Sequence, residues 1–123
     1  MVPNNYDLPG VTITVRRADG FFARLGGLMF ERPIGPDVSL WINPCRGIHT
    51  FFMRFSIDVI FLNRDLKVVK LYPNRQPNHL GPFCRGAESV LECEAGFIAR
   101  TGITTDHMLE FDADRTAARL RRC

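Results

Sequence analysis

Hydrophobic and polar positions along this chain alternate in short runs, the pattern typical of β-strands. Runs rich in β-branched and aromatic residues each predict a strand, at residues 11–17, 39–42, 48–55, 57–63, 66–72, 89–93 and 107–111. Helical signals are limited to a short helix over residues 21–25 and a helical turn at 95–100 that ends before Gly102. The pattern therefore predicts a mainly β fold, a compact β-sandwich or barrel-like domain with one or two short helices.

The length of the chain and its composition set the domain organisation. The 123 residues, of which 46% are hydrophobic, suffice for a single domain with a buried core. Residues 1–10 are expected to form a flexible arm, residues 11–112 the β-rich domain, and residues 113–123 a basic tail or short helix. Residues 73–86 are rich in proline and glycine, so we expect a long loop that forms the rim of a cleft.

Charge and targeting signals narrow the class of partner. A net charge of +3 is too small to indicate a dedicated nucleic-acid or membrane binder. No apolar run reaches the roughly 18 residues of a membrane span, and the N-terminus lacks the features of an export signal. The cysteines form no CxxC pair. We therefore expect a cytoplasmic protein without disulfides. We also expect a monomer or weak dimer that needs no cofactor.

The central stretch, residues 45–63, combines the densest apolar run with a few polar groups. If residues 57–62 form a strand with two apolar faces, Asp58 is buried with its neighbours. A buried carboxylate needs a cationic partner or several hydrogen-bond donors. Arg54, His49 and Thr50 are the nearest candidates in the sequence, and a structural role for Asp58 is favoured over a catalytic one.

Two catalytic alternatives use residues of the same stretch. Cys45, His49 and Asp58 have the residue types of a nucleophile, its base and an orienting carboxylate. Asp58 and Glu92 are the residue types of a carboxylate pair for acid–base hydrolysis. Geometry decides both cases, since residue order alone identifies neither.

A metal site and a nucleic-acid interface are weaker hypotheses. Cys45 and His49 have a spacing that a metal could bridge, but the chain offers no close second pair of ligands, so no metal is expected. The aromatic residues of 51–55 could stack on single-stranded nucleic acid. The arginines that would supply charge lie far away in the sequence: Arg115, Arg119, Arg121 and Arg122. This separation favours a core role for the aromatic run.

Four segments, GLMF (27–30), IHTFFMRFSIDVIFLN (48–63), VLECEAG (90–96) and TGITTDHMLEF (101–111), resemble in sequence and order the DUF192 family of uncharacterised bacterial and archaeal proteins. The resemblance implies a compact mainly β domain and brings no established activity. It marks five positions inside the shared segments as candidate site residues: His49, Thr50, Met53, Asp58 and Glu92. Some family members look associated with secretion or pilus machinery. This chain has Thr105-Asp106 where the family usually has Gly-Asp, which predicts a reshaped turn.

The leading hypothesis is a small non-enzymatic binding or accessory module whose partner is an unknown small molecule or protein. Its polar cleft, set in an apolar β scaffold, would be lined by His49, Thr50, Met53, Arg54, Asp58 and Glu92. The alternative is a small hydrolase that uses Asp58 with Glu92, or Cys45 with His49. A weak nucleic-acid binder ranks third.

Overall fold

A computed structural model describes residues 12–19, 38–50, 53 and 55–122 of the chain. Strands dominate these residues, and a single short helix, α1 (Phe97–Thr101), is found among them. In chain order the strands are β1 (Thr12–Asp19), β2 (Val38–Asn43), β3 (Gly47–His49), β4 (Ile57–Leu62), β5 (Val68–Arg75), β6 (Leu80–Phe83), β7 (Ser89–Glu94), β8 (His107–Phe111) and β9 (Ala117–Arg122). The prediction of a mainly β, barrel-like domain is confirmed.

Seven strands form one curled sheet in the order β5-β4-β7-β2-β1-β9-β8. Neighbouring strands run antiparallel except for the parallel pair β1 and β2. The two ends of the sheet approach each other, because Lys67 and Met108 form an antiparallel bridge and the Leu109 N–H donates to the Leu66 carbonyl at 2.9 Å. The sheet is therefore a half-barrel, and β3 and β6 form a separate two-stranded sheet.

Each face of the curled sheet carries its own hydrophobic core. The inner face packs side chains from around the half-barrel, including Trp41, Ile60, Leu91 and Leu109. The outer face packs β2, β4 and β7 against the segment that contains Cys45, Ile48 and Met53. Every residue of β4 is buried. This explains why β4 reads as a continuous apolar run instead of an alternating one.

Three predicted elements differ from the structure. Residues 48–55 were expected to form one strand, but β3 ends at His49. Residues 73–86 were expected to form a loop, but β5 continues to Arg75 and residues 80–83 form β6. Residues 113–123 were expected to form a tail or short helix, but β9 lies between β1 and β8. In β9 the buried Ala118 and Leu120 alternate with arginines, which is the period of a strand and not of a helix.

Two predicted turns have clear physical causes. The helix α1 ends at Gly102, whose left-handed backbone (φ 73°) lets its N–H donate to the Ile98 carbonyl at 3.0 Å. Before β8, the His107 N–H donates to the Thr104 carbonyl at 3.1 Å, and neither Thr105 nor Asp106 has a positive φ. This turn therefore has no need of a glycine at either position.

Several expectations concern residues outside the described part of the chain. These are the arm at 1–10, the helix at 21–25, the GLMF segment at 27–30, the aromatic pair at 51–52 and the side chain of Arg54. Within the described part, no helix has both the length and the apolar character that a membrane crossing requires.

Candidate functional site

Asp58 lies on the inner face of β4, opposite Cys93 of β7, and is 0% exposed. Its Oδ1 accepts a hydrogen bond from the Asn74 N–H at 2.8 Å, and its Oδ2 accepts one from the Ile98 N–H at 2.7 Å. Asn74 has a left-handed backbone (φ 53°), and Ile98 is in the first turn of α1. The carboxylate therefore connects β4 to the end of β5 and to the helix through charge-assisted hydrogen bonds.

Cys93 of β7 lies opposite Asp58 of β4, and its thiol has low reactivity. Its Sγ lies 3.2 Å from the Ser39 hydroxyl in a fully buried position. Burial raises the pKa of the Cys93 thiol to about 12, and the nearby charges of Asp58 and Glu92 also raise it. The thiol is consequently protonated at neutral pH and is a poor nucleophile.

Thr50 fixes the segment of chain between β5 and β6. Its buried hydroxyl donates to the Gln76 carbonyl at 2.6 Å and accepts from the His79 N–H at 2.9 Å. Its own N–H donates to the His79 carbonyl at 2.8 Å, and its carbonyl accepts from the Asn78 N–H at 2.7 Å. With side chain and backbone both engaged, Thr50 holds residues 76–79 in place.

We expect Thr50→Val to destabilise the protein by about 2 kcal/mol, because the variant keeps the side-chain shape but loses the hydrogen bonds of the buried hydroxyl to the Gln76 carbonyl and the His79 N–H. Urea denaturation measures the loss, and hydrogen exchange should show faster exchange of the amides of 76–79. Thr14→Val, on the exposed face of β1, is the matched control. Equal stability and exchange for Thr50→Val and wild type would show that the hydroxyl does not fix this segment.

Glu92 points away from Asp58, although the sequence suggested that the two could form a pair. Glu92 lies opposite Val59 of β4 and Leu40 of β2, and so on the outer face. It is 3% exposed, and its Oε2 has no hydrogen-bond partner among the described residues. Burial raises the pKa of Glu92 from 4.5 to about 7. The sheet separates the two carboxylates, so the acid–base pair of the hydrolase alternative does not form.

The proposed triad of Cys45, His49 and Asp58 is not assembled either. Cys45 is buried in the outer-face core, where its Sγ donates to the Gly47 carbonyl at 3.0 Å. Asp58 lies on the inner face with both oxygens bound by backbone amides. Met53 is a buried member of the outer-face core. The six residues predicted to line one cleft are therefore not brought together: Met53 and Glu92 lie on the outer face and Asp58 on the inner face. The half-buried His49 ends β3, Thr50 follows it, and Arg54 lies outside the described residues.

The arginines considered for nucleic-acid binding do not form one stripe. Arg119 and Arg121 both contact Glu110 of β8, with N–O distances of 3.4 and 2.9 Å. Arg115 lies instead in the turn between β8 and β9, with its guanidinium 5.6 Å from the ring centroid of Trp41. This division does not favour the nucleic-acid hypothesis.

The barrel mouth is a polar cavity that the sequence hypotheses missed. It has a volume of about 240 Å³ at the end of the half-barrel where β2 and β4 finish and β7 starts. The Trp41 indole forms part of its wall and packs against Phe111, with ring centroids 4.8 Å apart. The lining residues are Trp41, Asn43, Asn63, Arg64, Leu66, Glu88, Ser89 and Arg115.

Ser89 is the most informative residue of the barrel mouth. It is 1% exposed, and its hydroxyl has no hydrogen-bond partner among the described residues. A buried hydroxyl without a partner costs free energy, so it calls for an explanation. Two exposed arginines, Arg64 and Arg115, line the same cavity together with one acidic residue, Glu88, so basic side chains outnumber acidic ones in the lining.

A sequence signal for the barrel mouth exists, but it is incomplete. Asn43 is the last residue of β2, Asn63 follows β4, and Glu88 precedes β7. In this antiparallel arrangement those positions meet at one edge of the sheet. Arg115 joins them only because β9 is a strand, and the sequence had suggested a tail or helix there.

Comparison with known proteins adds a family without an assigned activity. The model of the DUF192 family, described as Uncharacterized ACR, matches residues 4–111. A UPF0127 protein of Pyrococcus furiosus is 35% identical over 100 residues, which cover 70% of this chain and 84% of the relative.

Two crystal structures share the fold. A Sinorhizobium meliloti protein, provisionally described as a transcription regulator, has a TM-score of 0.67 and 22% identity, with 89% of this chain and 81% of that one covered. A Novosphingobium aromaticivorans protein of unknown function has a TM-score of 0.67 and 19% identity, with 98% and 91% covered. At these identities the likeness concerns the fold alone.

Proposed function

Because this chain belongs to the DUF192 family of uncharacterised proteins, whose members bring no activity to it, we propose its function from its own site. The protein is a non-enzymatic module that binds a small anionic molecule in the barrel mouth. One observation carries the proposal: Ser89, whose buried hydroxyl has no partner among the described residues, lines a polar cavity together with Arg64 and Arg115. A ligand that hydrogen-bonds to Ser89 would remove the cost of leaving this group unsatisfied.

The polar residues outside the barrel mouth support binding over catalysis. Both oxygens of Asp58 are used by backbone amides, and the hydroxyl of Thr50 is used by Gln76 and His79. Cys93 is protonated at neutral pH because burial raises its pKa to about 12. The engagement of Asp58 and Thr50 by backbone groups and the protonation of Cys93 support a binding role over a catalytic one.

The chemistry of the barrel mouth favours a carboxylate or phosphate ligand. Arginine presents planar N–H donors that match the oxygens of either group. Ser89 and Asn43 add uncharged hydrogen-bonding groups, and the buried Trp41 side chain forms part of the wall. The volume of about 240 Å³ lies below the range of roughly 300–1,000 Å³ usual for drug-sized ligands, so a small metabolite fits best.

Tryptophan fluorescence tests this proposal, since Trp41 is the only tryptophan and lines the cavity. Titration with phosphate, citrate and glutamate should give a saturable change in emission with at least one of them. Arg115→Ala should weaken the binding about tenfold or more, the usual effect of losing a hydrogen bond to a charged group. Ser89→Ala should weaken it while leaving the stacking of Arg115 on Trp41 intact.

The matched control is Arg16→Ala, which removes an exposed arginine from β1, outside the barrel mouth. This control should bind like the wild type. The proposal fails if no anion produces a saturable change up to about 10 mM, a concentration that corresponds to very weak binding. It also fails if Arg115→Ala and Ser89→Ala bind as tightly as the wild type.

A further inference from the structure

An exposed apolar patch lies on the two-stranded sheet of β3 and β6, away from the barrel mouth. Leu80 and Phe83 of β6 are 66% and 63% exposed, whereas the other large hydrophobic side chains in the described part of the chain are buried or half-buried. Single exposed hydrophobic residues are ordinary, but two on one four-residue strand form a patch that requires explanation. Neither residue lines the barrel mouth.

Phe83 is held in place by the backbone beneath it. Gly47 of β3 lies opposite Phe83, and a Cβ atom at Gly47 would clash with the Phe83 ring. A Cβ atom at Gly81 would lie 3.4 Å from the same ring. The ring therefore rests on glycine backbone on its inner side while much of its surface remains open to solvent.

Hydrogen bonds fix both ends of this small sheet. At one end the Cys84 N–H donates to the Arg46 carbonyl at 2.8 Å, and at the other the Thr50 N–H donates to the His79 carbonyl at 2.8 Å. The hydroxyl of Thr50 adds the bonds to Gln76 and His79 described above. A patch on a support of this kind loses little conformational entropy when a partner binds.

The two segments of chain that carry the patch hold charged side chains of one sign. Residues 44–50 and 76–87, which carry the sheet and its flanks, contain Arg46, Arg85 and two histidines and no aspartate or glutamate. Both arginines are exposed. Positive charge around an apolar centre complements a partner with carboxylates beside hydrophobic side chains.

We propose that Leu80 and Phe83, with Arg46 and Arg85 at their rim, form a docking surface for an acidic segment of another protein that also presents apolar side chains. A second copy of this chain fits less well. A two-fold contact places the same patch on both sides, so the arginines of one copy would face those of the other. This inference is independent of the barrel mouth, which shares none of these four residues.

Fluorescence anisotropy with two labelled peptides tests the docking surface. One peptide alternates glutamate with leucine and phenylalanine, and the other has lysine in place of every glutamate. The acidic peptide should bind saturably and with an affinity that falls as salt rises, because the rim contributes by charge. The lysine peptide should bind at least tenfold more weakly.

Variants locate the binding on the patch. Leu80→Ser with Phe83→Ser should weaken binding of the acidic peptide at least tenfold, and both residues are exposed enough for the double variant to fold, as its melting temperature would verify. Arg46→Glu should weaken it similarly. The matched control, Arg16→Glu on β1, makes the same change of charge outside this sheet and should bind like the wild type.

Three results would overturn the docking proposal. The first is no binding of the acidic peptide up to about 1 mM. The second is equal binding of the acidic and lysine peptides, or equal effects of Arg46→Glu and Arg16→Glu. The third is a concentration-dependent dimer in sedimentation that Leu80→Ser with Phe83→Ser abolishes, because the patch would then serve a second copy of the chain.

Discussion

Replacing Asp58 with alanine is expected to lower the free energy of unfolding by about 3 to 6 kcal/mol. The substitution removes two hydrogen bonds to a buried carboxylate, from the amides of Asn74 and Ile98, and each such bond contributes about 1.5–3 kcal/mol. It also leaves both amides without an acceptor at the junction of β4, β5 and α1. Since small domains are stable by only about 5–15 kcal/mol, a large fraction of the variant should unfold near physiological temperature.

Two further variants make this expectation specific. Asp58→Asn keeps one acceptor oxygen and should lose about half as much stability as Asp58→Ala. Asp65→Ala, at an exposed turn position, should change stability by less than about 0.5 kcal/mol. Urea denaturation at pH 7 measures all three, and hydrogen exchange at Asn74 and Ile98 reports the lost bonds. A loss below about 1 kcal/mol for Asp58→Ala would rule out the structural role assigned to this carboxylate.

Replacing Glu92 with glutamine is expected to stabilise the protein at alkaline pH. Burial raises the pKa of Glu92 from 4.5 to about 7, so between these values the folded chain keeps a proton that the unfolded chain releases. Stability therefore falls as pH rises from about 4.5 through 7, by an amount on the order of 3 kcal/mol. Glutamine has nearly the same shape and no charge, so the variant should be about 3 kcal/mol more stable than the wild type at pH 8 and nearly equal to it at pH 4.5.

Denaturation at a series of pH values between 4.5 and 8 measures this difference. Glu94→Gln removes a carboxylate from the same strand at a position that is only half-buried, so it should leave the pH dependence close to that of the wild type. Parallel curves of stability against pH for Glu92→Gln and the wild type would show that folding does not raise the pKa of Glu92, and would contradict this prediction.

Local pattern was enough to predict the strands of the half-barrel that alternate or are wholly apolar. It failed at β9, where Arg119, Arg121 and Arg122 suggested a basic tail although Ala118 and Leu120 keep a two-residue period. It also failed at β6, where Gly81 and Pro82 suggested a loop. Proline fits a strand that has a free edge, and β6 pairs with β3 alone among the described strands. Both segments can be recognised as strands only once the strands that they pair with are known.

The candidate site was harder to predict, because it depends on register and closure. The burial of Asp58 followed from the two apolar faces of its strand, but its partners lie 16 and 40 residues away and are backbone amides that no side-chain pattern reveals. Asp58 lies opposite Cys93 and not opposite Glu92, which places the two carboxylates on different faces of the sheet. Sequence alone does not give this register. The barrel mouth exists only once the strand ends are brought to one edge of the curled sheet.

A ¹H–¹⁵N spectrum recorded during titration with the anion that binds best would test most directly whether the ligand site is the barrel mouth and not the central stretch at 45–63. The account predicts saturable shifts of the single indole N–H of Trp41 and of the backbone amides of Ser89 and Arg115, with little change at Thr50 and Asp58. The opposite distribution, with the largest shifts at Thr50 and Asp58 and none at Trp41, would contradict it.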